Sequence, residues 1–181
     1  TDPANAANKV LSIGNGSSSQ ERAFANLSKT TEGANHFTFF TKIYLAKPVN
    51  SSKELIRFNF LGVTGTNQIS LNTVYNDNAF KAYIKDAGNF VTDADGNNVV
   101  LDFETWYDFK IEYTVLDSAT GAGKITISLA KCGEALATVY EANVTVTSGS
   151  KIPTQIRLQR TSSQAATAIY FDDMLFFGEA E

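Results

Sequence analysis

Between Thr105 and Val115 the chain alternates with a period of two: Tyr107, Phe109, Ile111, Tyr113 and Val115 stand on one parity, Asp108, Lys110, Glu112 and Thr114 on the other. Such alternation belongs to a strand that is apolar on one face only, a half-buried antiparallel strand. The residues on either side of this stretch repeat the pattern. Strand signals run through 9–13, 22–27, 36–45, 55–61, 69–75, 80–84, 90–91, 99–101, 124–130, 136–146, 155–160 and 168–177, separated by Gly-, Asn-, Asp- and Ser-rich turns. No helical periodicity of useful length interrupts them. The expectation is an all-β chain: a two-sheet antiparallel jelly-roll sandwich.

Three parts of this reading are specific. Residues 22–27 are expected to return against 9–13 as its partner. Residues 55–61, 69–75 and 80–84 follow one another closely enough to form a meander. Residues 168–177 are apolar on both parities, with Ile169, Phe171, Leu175 and Phe177 on one and Tyr170, Met174 and Phe176 on the other, so this strand is expected to be central and covered on both faces. Asp172 or Asp173 would then face the interior, where a carboxylate needs a partner or a cation.

Composition narrows the function classes. Aromatic residues make up 12% and charged residues 19%, well away from the signature of disorder. A length of 181 residues fits a single sandwich domain spanning 1–181. The net charge of -4 offers no long-range attraction for phosphate backbones or anionic lipid, so nucleic acid is not an expected partner. No apolar run reaches membrane-spanning length, so no membrane insertion is expected. Cys132, the single cysteine, cannot form an intramolecular disulfide. The abrupt start at Thr1-Asp2-Pro3 reads as a mature or excised domain of a larger protein. The module is expected to be monomeric.

Thr105-Trp106-Tyr107-Asp108-Phe109-Lys110-Ile111-Glu112-Tyr113, then a Gly-containing turn, then Lys124-Ile125-Thr126-Ile127-Ser128-Leu129 resembles the hairpin of concanavalin A-like (laminin G-like) jelly-roll domains. Ile169 through Phe176 is similar to their closing strand, and Asp2-Pro3 through Leu11 to an opening segment of bacterial members. The resemblance implies a secreted or cell-surface bacterial protein whose partner is a polysaccharide or other glycan. Galactose-binding-like jelly rolls are the rival likeness. They often end in an Asp-Asp strand and hold a structural calcium, which makes Asp172 the candidate metal ligand.

If the strands lie as read, Arg57 and Asn59, Ser70 and Asn72, Lys81 and Tyr83, and Gln155, Arg157 and Gln159 stand on the parity away from the core. Planar amides and guanidiniums beside an aromatic ring suit sugars, whose hydroxyls take paired donors and acceptors while their apolar face stacks on a ring. The candidate ligand site is therefore Arg57, Asn59, Asn72, Tyr83, Arg157 and Gln159. Any sandwich has a polar outer face, so the site depends on these residues converging. Trp106 is expected to pack over a sheet edge, and 93–98 to form a hairpin turn, since its glycine falls too early for an EF-hand.

Catalytic signatures are missing. Retaining glycosidases place two carboxylates about 5 to 5.5 Å apart; the Glu-x-Asp-x-x-Glu pattern is absent, and Glu104 and Asp108 read as solvated charges. Alginate lyases of this fold carry Tyr-x-Lys-x-Gly-x-Tyr-x-Gln and Gln-Ile-His. Residues 83–90 match the first loosely with the glycine displaced, and Gln155-Ile156-Arg157 lacks the imidazole. His36, the single histidine, has no triad around it. The expectation is a non-catalytic carbohydrate-binding module. The alternatives are a structural or protein-interaction module without a sugar site, and a polysaccharide hydrolase or lyase with atypical residues.

Overall fold

A computed structural model describes residues 7–13, 33–46, 95–146 and 168–180, isolated positions at 2, 5, 92, 152 and 153, and the backbone of the strands between them. The turns expected at 14–19, 48–52, 62–67 and 162–164 lie outside the described residues. The chain forms thirteen strands among them: β1 (Leu11–Ile13), β2 (Arg22–Asn26), β3 (His36–Leu45), β4 (Lys53–Asn59), β5 (Ser70–Asn76), β6 (Ala79–Ile84), β7 (Asn89–Phe90), β8 (Val100–Leu101), β9 (Trp106–Asp117), β10 (Ala122–Lys131), β11 (Ala137–Thr145), β12 (Gln155–Arg160) and β13 (Ile169–Glu179).

They make two antiparallel sheets, a jelly-roll sandwich. The six-stranded sheet runs β1-β13-β3-β9-β10-β11, and the seven-stranded sheet runs β2-β12-β4-β5-β6-β7 with β8 also paired to β6. The alternation in β9 is realised as burial: Tyr107, Phe109, Ile111 and Tyr113 are buried while Asp108, Lys110, Glu112 and Thr114 are half-buried on the other face. They meet Phe37, Phe39, Ile43, Ile125, Ile127 and Phe171 from their own sheet and Leu101, Ile156 and Leu158 from the opposite one. At about 1.5–3 kcal/mol per fully buried large side chain, this layer is the main source of stability.

Two glycines admit the largest rings. Phe37 lies between Tyr113 and Gly178 in register, and a Cβ on Gly178 would stand 3.1 Å from the Phe37 ring. Tyr113 covers Gly123, where a Cβ would fall 2.5 Å from Cε2 and 2.6 Å from Oη. Gly123→Ala is therefore expected to cost about 1–3 kcal/mol through overpacking, measured as a lowered urea midpoint. Tyr113→Phe should not rescue it, because the ring carbon itself is in the way, whereas Tyr113→Leu should relieve most of the added cost.

The pairing of 9–13 with 22–27 is corrected. β1 pairs β13 and β2 pairs β12, so the two lie at edges of opposite sheets. Closeness in sequence suggests a hairpin, but the two strands belong to different sheets. The covering of β13 on both faces is corrected as well. β13 stays in phase with β3 up to Asp172↔Lys42, then resumes at Leu175↔Phe40, with one extra residue in between. This is a β-bulge with Asp173 in the left-handed region at φ 47, a conformation Asp tolerates better than most residues. The inward parity switches there: Ile169 and Phe171 face in before it and Phe176 after it, while Leu175 and Phe177 are exposed. Both parities are apolar because the phase changes, not because both faces are covered. Thr41, fully buried, donates its hydroxyl to the carbonyl oxygens of Asp172 and Lys42, at 3.0 Å each, and so provides for backbone acceptors at the bulge.

Candidate functional site

The seven-stranded sheet gathers the polar residues. Leu158, Phe58, Leu71 and Ile84 form one cross-strand row, and the burial of Leu158 puts that row on the core face. The adjacent row is Gln159↔Arg57, Arg57↔Asn72 and Asn72↔Tyr83. Directly paired residues share a face, so these four stand together on the outer face. A second check comes from β8: Leu101 is buried opposite Phe80, and Val100, opposite Lys81, is exposed, which again puts Lys81 and Tyr83 on the outer face. Arg157↔Asn59 is the next row out on that face. All six candidate ligand residues thus lie on strands of one sheet, in two neighbouring rows of the register. Strand spacing makes the row from Gln159 to Tyr83 about 14 Å long.

The register lengthens the row at both ends. Arg22 pairs Gln159, Phe24 pairs Arg157 and Phe90 pairs Tyr83. Arg22 and Phe24 were hidden in the sequence because β2 reads as a partner of β1, and the alternation within β2 does not reveal its true neighbour.

Asp172 stands on the other sheet. It is half-buried, with Oδ2 accepting from Asn8 Nδ2 at 2.8 Å and Oδ1 from the Asp173 backbone N–H at 3.0 Å. Asp173 is exposed and ion-paired with Lys42. The bulge removes the reason for expecting a carboxylate in the interior. Among the described residues no group of three or more His, Cys, Asp or Glu side chains could hold a metal ion. Trp106 opens β9 beside Tyr44, with ring centroids 5.4 Å apart, and donates Nε1–H to Asp2 Oδ1 at 3.2 Å. Around 93–98, Thr92 and Asn98 bridge and Gly96 takes φ 81, the geometry of a hairpin turn. His36 Nδ1 lies 2.8 Å from Thr114 Oγ1 and Nε2 lies 3.7 Å from Glu112.

One cysteine makes a control for surface chemistry. Cys132 is exposed as a residue, yet desolvation of its sulfur and the Asp108 carboxylate that accepts from it at 3.4 Å push the thiol up to about 11. Alkylation by iodoacetamide at pH 8 is expected to run about a hundredfold slower than for an unshielded thiol. Reaction at the free-thiol rate would contradict the contact.

No family model matches this chain, and no curated protein matches it. Solved structures do. An alginate lyase of family PL-14 from Aplysia kurodai matches with TM-score 0.50 at 13% identity, covering 81% of this chain and 71% of that one. The catalytic domain of a glycoside hydrolase family 131 protein from Coprinopsis cinerea matches with TM-score 0.52 at 14% identity, over 82% of this chain and 58% of that one. A carbohydrate esterase from the Shiga toxin-encoding bacteriophage phi24B matches with TM-score 0.53 at 6% identity, over 93% and 86%. At these identities the likeness is one of fold. It corrects the expectation that the chain is not an enzyme, which rested on missing motifs. The similar structures include enzymes of three kinds, and a fold that hosts several chemistries does not require any one family's motif.

Proposed function

We propose that this chain is a polysaccharide-active enzyme whose substrate lies across the outer face of the seven-stranded sheet. The observation that supports it is the continuous cross-strand row Gln159, Arg57, Asn72 and Tyr83, three residue types with hydrogen-bonding groups and one with an aromatic ring at the end. A sugar chain needs repeated donors and acceptors along its length and a ring to stack on. The solved structures of similar fold are named as a lyase, a hydrolase and an esterase of carbohydrates, which supports the same direction. A polysaccharide substrate implies an exported protein; no helix among the described residues is long and apolar enough to cross a membrane.

The row brings no pair of carboxylates, so acid and base work by two carboxyl groups is not what it offers. Tyr83 is its proton-transfer group. Lys81 stands two residues along β6 from it, and Arg57 two strands across in the same register row. Arg57, Asn72 and Gln159 would orient the sugar and stabilise the charge that develops on it.

The test is incubation with a panel of neutral and acidic polysaccharides, followed by assays for new reducing ends and for the absorbance of unsaturated products. Reducing ends alone mean hydrolysis; both signals mean elimination. No product and no retention on any member of the panel would remove the proposal.

A further inference from the structure

A row of aromatic side chains crosses the outer face of the six-stranded sheet. Ser12 pairs Tyr170, Tyr170 pairs Tyr44 and Tyr44 pairs Trp106, and directly paired residues share a face. Ile13, Phe171, Ile43 and Tyr107, beside them in sequence, are buried in the core, so the row stands on the side away from it. Its three rings are half-buried. Tyr44 meets Trp106 at a centroid separation of 5.4 Å and a tilt of 51°, and Tyr170 at 5.8 Å and 74°. The surface is faceted rather than flat, and strand spacing makes it about 10 Å from Trp106 to Tyr170.

Polar groups that the protein leaves unused accompany the rings. The hydroxyls of Ser12, Tyr170 and Tyr44 follow one another in the row, and among the described residues none of the three has a hydrogen-bond partner; that of Ser12 is buried. A cluster that served packing alone would pair its buried hydroxyl. Glu104, two residues before Trp106, holds the left-handed conformation at φ 57 and donates its N–H to the Leu45 carbonyl at 2.8 Å. A left-handed Glu is uncommon, and such strain collects at ligand sites. Burial, then Glu104, Tyr170 and Asp2, push the Tyr44 phenol up, which puts both carboxylates close to its hydroxyl. Asp2 also accepts from the Trp106 indole, and Asn8 closes this border by donating to Asp2 at 3.4 Å and to Asp172 at 2.8 Å.

We propose that this row is a second glycan site, on the sheet opposite the proposed substrate face, and that its ligand is an uncharged oligosaccharide. Tilted rings suit puckered sugars, whose C–H faces lie on aromatic surfaces while their hydroxyls reach phenols and carboxylates. Glu104 and Asp2 are acceptors for sugar hydroxyls and would repel a sugar carboxylate or a phosphate. The inference goes beyond the catalytic reading and does not rest on it: a site on the reverse of the sandwich holds the polymer without entering the chemistry.

Trp106 is the single tryptophan of the chain, so its emission reads this row directly. The experiment titrates the whole chain with cellohexaose, xylohexaose, mannohexaose and laminarihexaose, and with hexagalacturonate as the charged counterpart, following tryptophan fluorescence. At least one neutral hexamer should change the emission saturably, and hexagalacturonate should bind about tenfold more weakly or not at all. Tyr170→Ala should weaken the neutral ligand about tenfold, with far-UV circular dichroism confirming the fold. Glu104→Gln, at an exposed position, should weaken it about threefold to tenfold and narrow the gap to hexagalacturonate. Tyr83→Phe, on the other sheet, should leave the titration unchanged. No response to any neutral hexamer, an equal response to hexagalacturonate, or an affinity indifferent to both Tyr170→Ala and Glu104→Gln overturns the site. Failure of the enzyme proposal is read separately, as absence of product with this titration intact.

Discussion

Tyr83→Phe is expected to lower turnover of a responsive polysaccharide by about 10²–10⁴-fold, the usual contribution of a positioned proton-transfer group. The substitution keeps the ring, so stacking and hence substrate retention should change by less than about threefold. A loss confined to turnover assigns the phenol hydroxyl to the chemistry. A parallel loss of retention, or none in turnover, assigns Tyr83 to binding or removes it from the site. Because Tyr83 sits on β6 with pairing on both sides, to Asn72 and to Phe90, loss of one hydroxyl from the outer face should leave the fold intact.

Phe37→Ala is expected to produce the largest loss of stability, about 3–5 kcal/mol. The ring is fully buried and stacks on Tyr113 and on Phe176, with centroids 6.4 Å away in both cases. Gly178 leaves the space beside it, so truncation opens a void that no neighbouring side chain on that strand can fill. For a chain of this length the melting temperature should fall by about 10 °C or more, measurable by calorimetry. A fall of only a degree or two would mean the aromatic stack collapses onto the gap, or was never tight.

Strand identity was legible because nearly every strand keeps one phase. β3 and β12 run over the residues that alternation assigns them, His36–Leu45 and Gln155–Arg160. The same signal put Arg57, Asn72, Tyr83 and Gln159 on the parity opposite to their apolar neighbours. Which strands are neighbours did not follow, since parity says nothing about pairing. The row exists only because β12, from late in the chain, inserts between β2 and β4, and nothing in 155–160 encodes that choice. The bulge was hidden for a related reason. Asp172 and Asp173 look like acidic residues in a strand, and only the offset against Lys42 and Phe40 shows that one residue is additional. The absence of catalytic motifs was a poor ground for expecting no enzyme, because a motif records one lineage's solution while the fold accepts many.

That additional residue gives the end of the chain a measure of slack. Deleting Asp173 would close the bulge into an unbroken ladder, with Met174 opposite Thr41, and would leave Leu175 opposite Phe40 and Phe176 against Phe39 as they are now. The side chains beyond it would keep their faces, so losing this one residue should cost far less than losing a residue from a strand that has none to spare, where every later side chain would change sides.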